Sequence, residues 1–231
     1  MLVVGAANSG IDVAGLLLKA GAHVTLSMRS APNIFPREWH RIPLQPLGIV
    51  GEHLPVAMTD RIGFSLQRRI YGDLTPYGLP RAAAGMLATF RDRRRNPAVD
   101  DGFIAALKEG RTRVVAPVAH LDGTAAVLSD GSRILCDAVI CATGFARALE
   151  AMVGHLDVLG DDGVPRYERG VPANPATPGL YFAGFDATPT GQIRTIAIQA
   201  RRIARDVTNR RGESKYASRT RPAWTERALH R

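Results

Sequence analysis

An α/β fold built on a parallel sheet is predicted by three features at the start of this 231-residue chain. A short apolar run, Leu2-Val-Val4, ends in Gly5. A segment with helical spacing, Ile11 to Ala20, then stops at Gly21, and a second apolar run follows directly from Ala22 to Met28. Strand, helix and strand at this spacing read as a βαβ unit, whose two strands lie parallel.

The turn between the first strand and the helix carries the chemistry. It reads Gly5-Ala-Ala7-Asn-Ser-Gly10, close to G-x-G-x-x-G with Ala7 at the middle glycine position. Gly5 allows the bend out of the strand, and Gly10 lets the helix lie close to the sheet. Free N–H groups at the helix start then face a diphosphate. Asn8 and Ser9 add polar side chains at the same rim. The predicted fold is therefore Rossmann-like and dinucleotide-binding; a Gly-rich turn that binds nothing is the plainer alternative. At the end of the second strand, NAD-binding units usually hold the ribose with Asp or Glu. Here stand Arg29 and Ser30, which suit a 2′-phosphate and favour NADPH. A solvated arginine at a strand end is the competing reading.

Farther along, residues 31–57 contain five prolines and read as an irregular excursion. A helix is expected over 58–72, a turn-rich connector over 74–80, and a short helix over 101–109. Strands over 112–117 and 118–128, a turn at 129–132 and an apolar strand over 134–141 form a small β-meander. Cys136 and Cys141 flank that last strand and read as reduced core thiols rather than a C-x-x-C redox pair.

Composition excludes several classes. No apolar run approaches the roughly 18 residues of a membrane span, and no signal peptide is read at Met1. The histidines show no paired ligand spacing, so no metal site is expected. The formal charge is +9, but ten Lys or Arg against three acids fall from Arg201 onward, leaving twenty against eighteen elsewhere. The basicity belongs mainly to a tail, residues 209–231, read as solvated or disordered rather than as a nucleic-acid track. Arg91-Asp-Arg-Arg-Arg95 reads as an exposed loop or helix face. A cytoplasmic protein without nucleic-acid or transmembrane elements is expected.

Seven stretches in order carry a resemblance. They are Val3–Asp12, Arg29–Glu38, Tyr77–Pro80, Asp130-Gly131, Asp137–Phe145, Pro178–Phe185 and Thr190–Ile193. Together they resemble the flavin-containing monooxygenases from Leu2 to about Val207, and imply the two-dinucleotide-binding-domain flavoprotein type. The resemblance implies an NADPH domain over 1–143 with an irregular insertion at about 31–100, the C-terminal portion of an FAD domain over 144–207, and a basic, disordered tail over 208–231. It makes Ala142-Thr143-Gly144 the return connection between domains, Gly184 a point of flavin approach, and Gln192 a polar flavin contact. The helix after Gly191 is expected to bury Ile193, Ile196, Ala197, Ala200, Ile203 and Ala204 as one stripe. An ordinary strand and core helix is the alternative for that segment.

Two departures stand out. Ala7 replaces a glycine, and the family's first FAD-binding strand–turn–helix would lie upstream of Met1. The implied reaction passes hydride from NADPH to FAD and then one oxygen atom from O2 to a small-molecule substrate. Cofactors carry this chemistry, so no acid–base or nucleophilic catalytic residue is assigned. A partner chain or oligomer is expected to complete the FAD domain. The alternatives are a partner-dependent flavin oxidoreductase subunit without monooxygenase activity, and an NADP-binding remnant.

Overall fold

The computed structural model describes residues 1–51, 53–93, 95–146, 148–168, 171–172, 177–185 and 192–219, with the side chains of 45, 47, 93, 167–168, 171–172 and 211–219 left aside. In chain order the elements are β1 (Leu2–Val4), α1 (Asn8–Lys19), β2 (Val24–Ser27), β3 (Ile34–Pro36), β4 (Glu38–Trp39), β5 (Ile42–Pro43), α2 (Gln45–Gly51), α3 (Val56–Tyr71) and α4 (Met86–Arg93). There follow β6 (Ala98–Asp100), α5 (Phe103–Lys108), β7 (Thr112–Val115), β8 (Val118–Asp122), β9 (Ala125–Leu128), β10 (Arg133–Leu135) and β11 (Val139–Cys141). The remainder is α6 (Glu150–Val153), β12 (Tyr167–Glu168), β13 (Val171–Pro172) and α7 (Gln192–Arg219).

The chain divides into two compact units, Met1–Phe145 with residues 187–191, and Ala146–Asp186 with Gln192–Arg231. The first holds a parallel four-stranded sheet in the order β11-β1-β2-β7. Within this sheet the chain order is fourth, first, second, third, so the winding reverses between β1 and β11. Leu2 and Val3 are fully buried in the central strand, and α1 lays Ile11, Ala14 and Leu18 against the sheet while Leu16 faces solvent. That spacing of three and four residues is the apolar stripe of an amphipathic helix. Further core side chains come from β2, with Val24 and Leu26, from Ile34, Tyr71 and Ala98, from α5, with Phe103, Ile104, Ala106 and Leu107, and from Leu74 and Leu79 in the connector.

The sheet's buried polar groups are all engaged. Ser27 Oγ donates to the Ala116 carbonyl at 2.8 Å and accepts the Val118 N–H at 3.1 Å, so it stitches β2 to the start of the meander. Thr112 Oγ donates to the Val24 carbonyl at 2.9 Å. Tyr71 OH donates to Asp100 at 3.1 Å, and its burial, then the neighbouring carboxylate, push the phenol far above its ordinary range.

Three differences from the sequence reading have physical causes. The apolar stretch 134–141 is two strands in two sheets. β10 pairs antiparallel with β9, whereas β11 pairs parallel with β1. The Cys136 N–H bonds back to the Thr124 carbonyl, while the Ala138 carbonyl accepts from Leu2 N–H. The cysteines therefore do not sit in a core: Cys136 is half-buried and Cys141 exposed. Second, the insertion over about 31–100 returns through β6, which pairs parallel with β3, and it includes α4. The first turn of α4 is bonded by Asp60, whose oxygens accept from Leu87 N–H at 2.7 Å and Ala88 N–H at 3.3 Å. Third, from Asn209 the backbone remains helical to Arg219 instead of forming an irregular tail; residues 220–231 lie outside the described residues.

The second unit contains no parallel sheet among its described residues. Its β-structure is the β12–β13 hairpin and an isolated bridge between Leu159 and Pro165. Val158, Val164 and Phe182 are its buried apolar side chains, and Phe182 meets Phe185 edge to face at 6.0 Å.

Candidate functional site

The winding reverses between β1 and β11, and the carboxyl ends of the strands at such a reversal are where open α/β sheets receive ligands. Gly5 sits there with φ of +114°, and a Cβ on it would collide with the Ala142 carbonyl. A Cβ on Gly10 would collide with the Gly5 carbonyl. Both glycines are thus fixed by close backbone approach. Ala142 N–H donates to the Val4 carbonyl at 2.8 Å, and Gly5 N–H donates to Ser27 O at 2.9 Å. Three strand ends and the helix start are thereby drawn together.

Ala7 takes the N-cap of α1 with φ of −80° and ψ of −174°, extended backbone open to any residue. Its methyl costs no backbone strain. No side chain caps the helix, and no acid occupies its first turn. The first intrahelical bond runs from Ile11 N–H to the Ala7 carbonyl. The N–H groups before it lack intrahelical partners, which together with the helix dipole favours an anion.

Asn8 has a role the sequence did not signal. Its Oδ1 accepts the Val99 N–H at 2.8 Å, tying the first turn of α1 to β6. Ser9 in the first turn of α1, Arg29 and Ser30 after β2, and Thr143 and Gly144 after β11 are exposed. Gly144 has φ of +94° and open space around it. Arg29 has no ion pair among the described residues. These features fit a dinucleotide diphosphate at the start of α1.

Gly184 and Gln192 belong to the second unit. Gln192 Nε2 donates to the Gly184 carbonyl, and Gly184 N–H donates to Gln199 Oε1 at 2.9 Å. Gly184, with φ of +85°, is therefore clamped between two amides of α7. Gln199, 2% exposed, was missed because nothing in its sequence context marks it. Tyr181 OH donates to Asp206 at 2.7 Å, and Arg210 Nε donates to the same carboxylate at 2.6 Å. The Tyr181 hydrogen bond, then that from Arg210, holds Asp206 below the usual carboxylate range.

The stripe expected to be buried on α7 faces the other way. Ile193 is 85% exposed, Ile196 38%, and Ala197, Ala200 and Ala204 are exposed; Ile203 is half-buried. The buried positions are Thr195 and Gln199. Polar anchoring through the Gly184 clamp and Asp206 sets the rotation of the helix; Ile196 lies against Gly184, and among the described residues no sheet covers Ile193. Thr190 and Gly191, quoted for the resemblance, lie outside the described residues.

The reversed winding and the glycine-packed helix start define the class: a doubly wound α/β protein of the dinucleotide-binding kind. The family follows from sequence comparison. Residues 1–216 match the family described as flavin-binding monooxygenase-like, and the chain belongs to it. It is 30% identical over 233 residues to the "Probable indole-3-pyruvate monooxygenase YUCCA3" of Arabidopsis thaliana, covering 99% of this chain and 52% of that protein. A rice relative (Oryza sativa subsp. indica), "Indole-3-pyruvate monooxygenase YUCCA8", is 34% identical over 63% of this chain and 35% of its own length. The chain spans about half the length of the curated relatives it matches.

Among solved structures, a double mutant of the flavin monooxygenase from Stenotrophomonas maltophilia superposes with a TM-score of 0.51 and 17% identity, over 90% of this chain and 50% of that one. OTEMO, crystallised in complex with FAD and NADP, superposes with a TM-score of 0.51 and 12% identity, over 90% of this chain and 52% of its own. These likenesses show the fold. No helix among the described residues is long and apolar enough to cross a membrane.

Proposed function

We propose that this chain supplies the NADPH site, and part of the FAD site, of a flavin monooxygenase-type oxidoreductase acting on a small molecule with O2. The observation that carries the reading is the packing of Gly5 and Gly10 against strand ends at the winding reversal. When bound, NADPH supplies hydride and the flavin accepts it and delivers oxygen. The residues of this chain bind and orient. N–H groups at the start of α1 hold the diphosphate, Arg29 and Ser30 hold the 2′-phosphate, and Ala142-Thr143-Gly144 border the site. Gly184 and Gln192 are assigned to the flavin. The domain limits are those of the resemblance, with a nicotinamide domain through 143 and a flavin-domain portion over 144–207. Two free cysteines fit a reducing, cytoplasmic setting.

Calorimetric titration of NADPH and NADH into the whole chain tests the nucleotide site. NADPH is expected to bind the more tightly, and Arg29→Ala to cut that preference roughly tenfold or more, the worth of a lost charge-assisted contact. No heat with NADPH overturns the assignment, and an unchanged NADPH-to-NADH ratio in Arg29→Ala removes Arg29 from it. A second reading, a subunit that does not turn over alone, is favoured by the lack of a parallel sheet among the described residues of the second unit. Bound flavin with NADPH-dependent oxygen uptake by the chain alone would exclude it.

A further inference from the structure

Where α3 ends, the chain borders a cavity of about 240 Å³ between Phe64, Gln67 and Arg68 of the helix and Asp73, Leu74, Leu79 and Arg81 of the segment that follows. The cavity lies in the insertion over about 31–100 and shares no residue with the proposed nucleotide site. Leu74 and Leu79 are buried and give it an apolar floor, while Arg68, Asp73 and Arg81 are exposed at its rim. At roughly 30 Å³ for each water-sized unit, it has room for about eight non-hydrogen atoms.

Three of its side chains have binding capacity that the described residues do not use. Gln67 Oε1 is shut off from solvent and accepts no hydrogen bond among them, a costly state for a buried amide oxygen. Arg68 and Arg81 form no ion pair among the described residues. Arg81 instead lays its guanidinium over the Phe64 ring, 3.6 Å from the centroid, and such stacking orients its N–H donors. Asp73 supplies the opposite charge. Its Oδ1 accepts the Thr75 N–H at 3.0 Å, and that bond holds the carboxyl below its usual range and ionised at neutral pH. The cavity thus offers two guanidiniums to an anion, a carboxylate to a cation, an amide oxygen in need of a donor, and an apolar floor.

We propose that this cavity binds an apolar α-amino acid. Arg68 and Arg81 take its carboxylate, Asp73 takes its ammonium, and its side chain lies on Leu74 and Leu79. Gln67 Oε1 accepts a further ammonium N–H once its terminal amide turns toward the cavity, and the turn relieves the unpaired oxygen. A plain carboxylate or phosphate would set an anion beside Asp73, and a plain amine would leave both arginines unmatched. A ligand carrying both charges satisfies every group. None of this depends on a nicotinamide or flavin site, so the inference stands apart from the function proposed above.

Calorimetric titration of L-leucine into the full chain is the test. Leucine is expected to bind at least tenfold more tightly than isocaproate, which lacks the ammonium, or isoamylamine, which lacks the carboxylate. Arg81→Met, at an exposed position, should weaken leucine about tenfold or more. Gln67→Met keeps the length of the side chain and removes its oxygen. It should weaken leucine to a similar degree and melt no lower than wild type in circular dichroism, because an unpaired acceptor is gone. No heat with leucine overturns the inference, as does leucine binding that both variants leave unchanged. Isocaproate binding as tightly as leucine would make this a simple anion site and overturn it too. A marked fall in the melting temperature of Gln67→Met would show that its oxygen is already bonded in the free chain, and would strike Gln67 from the site.

Discussion

Two helices in this chain have similar apolar patterning and opposite fates. α1 buries Ile11, Ala14 and Leu18 on a parallel sheet, while α7 turns Ile193, Ala197 and Ala200 outward and buries Thr195 and Gln199. Periodicity states which face gains from leaving water, but the gain is realised only where a complementary surface exists. In the first unit β1, β2, β7 and β11 provide it. In the second, specific polar bonds fix the helix instead.

The sharpest way to break this comparison is a pair of matched truncations. Ile11→Ala is expected to destabilise by about 2–5 kcal/mol, the usual cost of emptying a core site. Ile193→Ala should stay within about 0.5 kcal/mol, as surface changes do. Urea unfolding monitored by circular dichroism reads both, and a large loss at Ile193 would mean that its face is covered in the isolated chain.

Glycines give the next effect. Gly10→Ala forces a methyl into the Gly5 carbonyl, so a loss of about 3 kcal/mol is expected, at the upper end for overpacking, and NADPH binding should fall with it. Gly21 has φ of +81° with nothing within reach of a Cβ. Gly21→Ala should cost about 1–2 kcal/mol from backbone strain alone and leave NADPH affinity unchanged in calorimetry.

Gln199→Ala probes the polar anchoring of α7. It strips the acceptor from Gly184 N–H, a loss expected to cost about 1–3 kcal/mol, and faster amide exchange at Gly184 is the direct measurement. The smallest effect is that of acid. Asp206 is held below the ordinary carboxylate range by Tyr181 and then Arg210. A depressed folded-state value means this stabilisation is present at neutral pH and is lost as pH falls through that value. Tyrosine fluorescence should report the loss of the Tyr181 bond in acid, and Asp206→Asn should remove that pH dependence.

What the sequence disclosed follows the same division. The β1–α1–β2 unit and its glycines were legible because strand, turn and helix each announce themselves locally and agree. The second turn of the meander was legible from Asp130 and Gly131; the first, which splits 118–128 into β8 and β9, was not, and β7, expected in the meander, pairs with β2 in the parallel sheet. The break between β10 and β11 was not, since Cys136-Asp-Ala138 contains neither glycine nor proline, and only the pairing of Thr124 and Leu2 with this stretch reveals it. The β3–β6 pair was hidden by its three-residue strands and long separation. At α7 the apolar stripe was read correctly as a pattern and wrongly as buried, because burial depends on a neighbour no local pattern encodes.

The bond from Val99 N–H to the Asn8 side chain carries a consequence beyond holding two elements together. It makes the far end of the insertion over about 31–100 a brace for the first turn of α1, the helix proposed to face the nucleotide. Sequence drift within that insertion is thereby restrained at one point: whatever shape the intervening segments adopt, they must return a main-chain amide to within reach of residue 8. A change in the insertion that shifts this brace would displace the proposed nucleotide site before any of its own residues had been altered.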